Sequence, residues 1–147
     1  MSETTTPRPY DELLAARRAA EAAAPRLLEL VAATIAALFS EAAWLSLHYG
    51  EVFWAHEDDT RLGAVLDARG AVLHDFATTP LDHQHLPGRQ VPKEVEAAWG
   101  GREYRSASVL EAAVQDARAH GAHFRTLPED LEVEGAGSAP CLAMPGR

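Results

Sequence analysis

The chain has 147 residues, 47% of them hydrophobic and 24% charged, which is enough for one domain with a core of its own. Its 13 basic and 22 acidic residues give a net charge of −9, which argues against non-specific nucleic-acid binding because that binding needs clustered lysine and arginine. The single cysteine, Cys141, excludes an internal disulfide framework and a cysteine-rich zinc site.

The sequence contains no segment that we expect to enter a membrane. Its longest uncharged apolar run lies between Glu29 and Glu41 and is too short to span a bilayer. The first residues lack a basic region followed by an apolar stretch, so we expect no signal peptide and a cytoplasmic location. Lys93 is the only lysine, and with the abundant alanine this composition is typical of a GC-rich bacterial genome.

The N-terminal third is predicted to be helical. Residues 1–9 are polar, contain two prolines and are expected to be disordered. Helical periodicity then runs from Tyr10 to Phe39, and Pro25 predicts two helical segments in preference to one kinked helix. The second half carries an apolar stripe of Leu27, Leu30, Val31, Thr34, Ile35 and Leu38. The first half has a small-residue face that would allow a homodimer by close helix approach, formed by Leu13, Ala16, Ala20 and Ala23.

The middle of the chain has the patterns of β-strands. Alternating apolar residues or β-branched and aromatic residues predict strands at 43–49, 51–56, 61–67 and 71–76. The last two strands flank a short loop containing Gly70, which is typical of a hairpin. The sequence therefore predicts a three- to four-stranded antiparallel meander.

Two helices are predicted after this meander. The first covers 92–99, and the second starts at an S-x-x-E capping box of Ser108 and Glu111 and ends at Gly121. Residues 133–147, with Cys141, are expected to form a flexible tail. The fold class is therefore α+β: an N-terminal helix or helix pair, the meander, and two C-terminal helices in a two-layer domain over residues 10–132.

The stretch HDFATTPLDHQHL, residues 74–86, is a candidate metal site. His83 and His85 are two positions apart, so in extended backbone both rings would face one way. Further donors would be His74, Asp82 and the distant His56, and such a set would suit Zn²⁺, Ni²⁺ or Fe²⁺. The alternative is a solvated loop whose histidines and aspartates pair locally, with no cofactor.

An acidic and aromatic segment is the candidate partner-binding surface. Residues 41–60 contain five acids and no lysine or arginine. Adjacent Phe53 and Trp54 must point to opposite faces of a strand, so one is either covered by a helix or displayed. Displayed rings would supply buried contact and the acids would steer a basic partner. The proposed set is Trp44, Tyr49, Glu51, Phe53, Trp54, Glu57, Asp58 and Asp59.

These patterns favour a binding protein over an enzyme. The sequence has neither a G-x-S-x-G nucleophile elbow nor a phosphate-binding P-loop. We therefore expect a small acidic, non-catalytic bacterial protein that acts on a protein partner with a basic surface, as an immunity- or antitoxin-like inhibitor or as a regulatory subunit. The alternative is a metal-dependent enzyme or metal sensor that uses the His/Asp loop. A ligand-binding sensory domain is a third interpretation.

Overall fold

A computed structural model of the chain describes residues 8–49, 60–87, 90–128, 131 and 140–145. An N-terminal helix, an antiparallel sheet and C-terminal helices confirm the α+β class. The elements, in chain order, are α1 (Pro9–Leu38), β1 (Ala42–Tyr49), β2 (Thr60–Asp67), β3 (Val72–Asp75), a 3₁₀ helix (Leu81–His83), α2 (Lys93–Ala98), α3 (Ala107–Ala119), β4 (Arg125–Thr126) and β5 (Pro140–Ala143).

Helix α1 is one continuous helix of 30 residues, so the prediction of two segments is wrong. Pro25 lies inside the helix and is exposed, so its ring faces away from the core while the buried face continues past it. Pro9, predicted to be disordered, begins the helix, where a proline is well tolerated. The core-facing side chains of α1 are Ala24, Leu28, Val31, Ala32, Thr34, Ile35 and Leu38.

The described strands form one sheet in the order β3-β2-β1-β5-β4, and every neighbouring pair is antiparallel. The predicted meander corresponds to β1, β2 and β3, whereas the predicted strand at 51–56 lies outside the described residues. The predicted flexible tail is wrong for residues 140–143, because they form β5 between β1 and β4. Ser46 pairs with Cys141 there, and the Met144 amide donates to the Ala43 carbonyl at 3.0 Å.

The turn between β2 and β3 has the local chemistry of a hairpin, as predicted. Gly70 adopts a φ of 86°, a conformation that glycine takes without strain. The Asp67 carboxylate accepts hydrogen bonds from the amides of Arg69 and Ala71 at 2.8 and 2.9 Å. These bonds close the turn and fix the register of β3 on β2.

Helices α1 and α3 cover one face of the sheet, and the main hydrophobic core lies between these two layers. The described strands contribute six buried residues to it: Ala42, Leu45, Leu47, Leu62, Val65 and Leu142. Hydrogen bonds between buried groups connect the C-terminal end of α2 to α1. The Trp99 indole donates to the Thr34 hydroxyl at 2.8 Å, which donates in turn to the Leu30 carbonyl at 2.7 Å.

The predicted capping box of α3 is wrong. Helix α3 begins at Ala107 with Ser106 at its N-cap, so Ser108 lies inside the first turn. Glu111 is buried on the inner face of the helix and accepts a hydrogen bond from the Leu62 amide at 3.1 Å. The predicted end is confirmed, because Gly121, with a φ of 94°, follows the C-cap residue directly.

Candidate functional site

The face of the sheet opposite α1 and α3 carries a second, smaller hydrophobic cluster. Leu66, Leu127 and Cys141 are buried in it, and Trp44 is half-buried against them. Ala64 and Leu131 complete the cluster, to which no described helical residue contributes. We call this side of the sheet the helix-free face. An aromatic side chain thus lies on the face of the sheet that the described helices do not cover.

A bulge between β1 and β2 positions the side chains of the helix-free face. The register shifts between Leu45 and Leu47, where β2 carries one extra residue. The Ser46 hydroxyl bridges the two strands at this bulge, because it accepts a hydrogen bond from the Ala64 amide at 2.9 Å and donates one to the Ala64 carbonyl at 3.3 Å. Gly63 leaves room for it, since a Cβ at that position would lie 2.5 Å from Ser46 Oγ.

The outer strand β3 extends the apolar surface of the helix-free face. Val72 is the register partner of Leu66, and directly paired residues of neighbouring strands lie on the same face of a sheet. Leu66 is buried in the cluster, whereas Val72 is 56% exposed. Val72 and Trp44 are the register partners of Leu66 on its two sides, so the three residues form an apolar row across this face with an exposed valine at its outer end.

The surplus negative charge of the chain is concentrated in two stretches, 51–59 and 129–134. Each contains four acids and no lysine or arginine, and the other fourteen acids and thirteen bases nearly cancel. Tyr49 pairs with Thr60, so the two residues that border 50–59 are neighbours at one end of the sheet. Leu131, within the second stretch, packs on the helix-free face. The stretch at 129–134 was not among the predicted site residues, although its four acids are visible in the sequence.

Polar side chains of α3 anchor the beginning of β2. The Gln115 amide donates to the Thr60 carbonyl at 2.9 Å, and Arg118 donates to the Thr60 hydroxyl at 2.8 Å. Glu111 binds the Leu62 amide, and its carboxylate also lies 3.5 Å from the Arg61 guanidinium. These contacts fix the end of the sheet at which the acidic and aromatic segment joins β2.

Of the eight residues predicted to bind a partner, Trp44 is the one whose side chain lies among the described residues. It belongs to the helix-free face. For Tyr49 the structure gives the strand pairing. The other six, and the candidate metal donor His56, lie outside the described residues: Glu51, Phe53, Trp54, Glu57, Asp58 and Asp59.

His74, the first candidate metal ligand, already has a protein partner. Its Nε2 lies 2.9 Å from the Gln84 side-chain oxygen, and its ring lies 5.8 Å from the Phe39 ring and 4.6 Å from the Phe76 ring, centroid to centroid. The Gln84 side-chain nitrogen donates to the carbonyls of Phe76 and Thr79, so its oxygen must accept from His74. Nε2 therefore carries a proton and is not available to a metal ion.

The other candidate ligands that the structure describes do not converge with His74. Asp82 and His83 are exposed in the 3₁₀ helix, and His85 is exposed after it. The backbone from His83 to His85 is therefore not a continuous strand, which removes the reason for expecting both rings to face one way. Among the residues that the structure describes, no group of three or more histidine, cysteine, aspartate or glutamate side chains could hold a metal ion.

Comparison of the chain with protein-family models, curated proteins and solved structures finds no match. The functional interpretation therefore depends on the residues of the chain itself. Across the described helices, none has the length together with the hydropathy needed to cross a bilayer.

Cys141 contributes packing to the helix-free face. It is fully buried, and burial raises the pKa of its thiol to about 11, against the opposing effect of the nearby Arg125 charge. A reactive cysteine needs a lowered pKa and access to its substrate. The Cys141 thiol is thus protonated and inaccessible at neutral pH.

Proposed function

We propose that this chain is a non-catalytic binding protein whose helix-free face docks a protein partner with a basic surface. The observation that carries the proposal is the position of Leu131. This residue belongs to an acidic stretch and packs in the same cluster as the half-buried Trp44. Leu131 thus connects an acidic stretch of the sequence with the side of the sheet that carries Trp44.

The two features have different roles in such a complex. Aromatic and aliphatic side chains that lose their contact with water on docking supply most of the affinity. Acids around them accelerate the encounter with a basic partner and disfavour acidic competitors. Because charge interactions between exposed groups are screened within about 10 Å at 0.1 M salt, the association should weaken as salt is added.

An immunity- or antitoxin-like inhibitor and a regulatory subunit would both bind in this way, in the cytoplasm of a bacterium. They differ in their effect on the partner's activity: an inhibitor abolishes that activity on binding, whereas a regulatory subunit adjusts it. Neutralising a basic enzyme is the role that the concentration of acids in two short stretches favours. An activity measurement on the purified partner, with and without this chain, separates the two roles.

Charge-neutralised variants test the proposal. The first replaces the acids of one stretch: Glu129→Gln, Asp130→Asn, Glu132→Gln and Glu134→Gln. Its matched control removes the same four charges from exposed positions on the helical side: Glu94→Gln, Glu96→Gln, Glu103→Gln and Asp116→Asn. Partners captured from cell extract are identified and purified, and their Kd for both variants is measured.

We expect a basic partner whose Kd rises by about tenfold or more in the first variant and changes little in the control. We also expect the Kd of the unaltered chain to rise between 50 mM and 500 mM salt. Equal losses in both variants, or a Kd independent of salt, would contradict the proposal.

A further inference from the structure

Two leucines of the apolar stripe on α1 are only half-buried. Leu27 and Leu30 pack against the main core but keep part of their surface accessible. They line a cleft of about 520 Å³ whose other walls come from α3 and from the end of α2 with the turn that follows it. Small side chains leave this space open, because three residues of those walls are alanines: Ala98, Ala112 and Ala113. We call it the three-helix cleft.

The apolar part of the three-helix cleft is held in a fixed arrangement. Trp99 lines it and is itself buried, and its indole donates to the Thr34 hydroxyl at 2.8 Å. The Tyr104 ring stacks on that indole at a centroid distance of 6.4 Å. Val109, on α3, adds a half-buried aliphatic side chain. Small-molecule sites are usually formed in advance, with volumes of about 300–1,000 Å³ and mainly apolar walls, and this cleft has those properties.

Charged residues of both signs complete the lining of the cleft: Arg102, Glu103 and Asp116. The Arg102 guanidinium donates to the Trp99 carbonyl at 3.0 Å, so most of its N–H groups remain available. Among the described residues, the carboxylates of Glu103 and Asp116 have neither a hydrogen-bond partner nor an ion pair. The cleft therefore offers one positive and two negative groups to a ligand.

The three charges lie at two ends of the cleft. Arg102 and Glu103 lie where α3 begins, because the Glu103 carbonyl accepts from the amide of Ser106, the N-cap residue, at 3.0 Å. Asp116 lies in the last turn of the same helix. Val109 and Asp116 are seven residues apart, which is about 10 Å along the helix. An apolar stretch thus has a positive and a negative group at one end and a negative group at the other.

We propose that the three-helix cleft binds a free basic α-amino acid, lysine or arginine. The carboxylate of the ligand binds the Arg102 guanidinium, and its α-ammonium group binds the Glu103 carboxylate. The methylene groups of its side chain cover the apolar stretch, and its terminal cation binds Asp116. An extended lysine reaches about 6 Å from its α-carbon to its terminal nitrogen, and hydrogen bonds of about 3 Å at both ends extend this to the scale of the cleft.

The charges of the cleft distinguish this ligand from related molecules. A basic amino acid has two positive groups and one negative group, which match the two carboxylates and the guanidinium. An apolar α-amino acid would leave Asp116 without a cation, and a diamine would leave Arg102 without an anion. Each missing partner forfeits a charge-assisted hydrogen bond, which is the strong kind.

Titration calorimetry on the full chain tests the proposal with L-lysine, L-arginine, L-norleucine and cadaverine as probes. Norleucine lacks the terminal ammonium group of lysine, and cadaverine lacks its carboxylate. We expect lysine or arginine to bind with a Kd below about 1 mM. Both analogues should bind more weakly than lysine by about tenfold or more, because each lacks one charged contact.

Single substitutions test which end of the cleft binds which group. Asp116→Asn should remove the preference for lysine over norleucine, and Arg102→Gln should remove the preference for lysine over cadaverine. Glu94→Gln is the control, because Glu94 is an exposed acid of α2 outside the cleft, and it should leave both preferences unchanged. Circular dichroism confirms folding, which substitutions at these exposed positions should not affect.

Three results would overturn the proposal. The first is that neither lysine nor arginine binds at a concentration of about 10 mM. The second is that norleucine or cadaverine binds the unaltered chain as tightly as lysine. The third is that Asp116→Asn and Arg102→Gln keep the preferences of the Glu94→Gln control. The helix-free face contributes no residue to this cleft, so either proposal can fail without the other.

Discussion

Replacing Gly63 by alanine would disturb the bulge that shapes the helix-free face. The added methyl group would lie 2.5 Å from the Ser46 hydroxyl oxygen and 3.0 Å from the Ser46 carbonyl oxygen. Both distances are shorter than van der Waals contact. The hydroxyl would have to move, and it would then lose its bonds to the amide and carbonyl of Ala64.

Typical energies for the contacts that the structure shows give the size of this effect. Overpacking of a well-filled site costs about 1–3 kcal/mol. Loss of the hydroxyl's hydrogen bonding adds about 0.5–1.5 kcal/mol. The entropy that alanine removes from the unfolded chain offsets about 0.4–1 kcal/mol. We expect Gly63→Ala to lower the free energy of unfolding by about 0.5–4 kcal/mol, centred near 2 kcal/mol, which is a substantial fraction of the usual 5–15 kcal/mol.

Urea denaturation of Gly63→Ala, Ser46→Ala and the double variant measures this effect. Removing the hydroxyl relieves the closest contact, so the double variant should be less destabilised than the sum of the single variants by about 1 kcal/mol. The reasoning would be refuted if Gly63→Ala changed the free energy of unfolding by less than about 0.5 kcal/mol, or if the two substitutions were additive.

Two further predictions concern buried polar groups. Glu111→Ala leaves the Leu62 amide without its acceptor and should lower the free energy of unfolding by about 1–3 kcal/mol. Glu111→Gln keeps an acceptor oxygen and should lower it by less. Equal losses of the two variants in urea denaturation would argue against this role of Glu111. For Cys141, burial raises the pKa to about 11 from 9.0, so the native chain keeps a proton that the unfolded chain releases. The free energy of unfolding should therefore fall between about pH 9 and pH 11, by at most about 3 kcal/mol, and Cys141→Ala should lack this component. A constant stability difference between the two chains across that range would contradict the assignment.

Local patterns were sufficient to predict much of the fold. The turn around Gly70 and most of the apolar stripe of α1 are encoded within a few neighbouring residues and were found, although the buried Leu28 and Ala32 were not included in the predicted stripe. The position of β5 was missed, because Pro140–Ala143 is four residues long and is held by strands far away in the sequence. Pro25 misled the prediction of α1 for a related reason, since its effect depends on which side of the helix faces the core.

The candidate site was less predictable than the fold. Trp44 could be singled out by its residue type, but its neighbours on the helix-free face, such as Leu127 and Cys141, come from the other end of the chain. Glu111 resembled a capping residue, although Leu110, Glu111, Val114 and Ala117 have the spacing of one buried helix side. A local motif cannot reveal a partner that only tertiary folding brings into reach.

One pair of variants tests the central claim most directly. Val72→Arg places a positive charge at the exposed outer end of the apolar row on the helix-free face, and Ala112→Arg adds the same charge at an exposed position of α3. With the purified basic partner, titration calorimetry should give a Kd at least tenfold higher for Val72→Arg and nearly unchanged for Ala112→Arg. Unimpaired binding by Val72→Arg, or an equal loss in both variants, would contradict the assignment of the helix-free face as the docking surface.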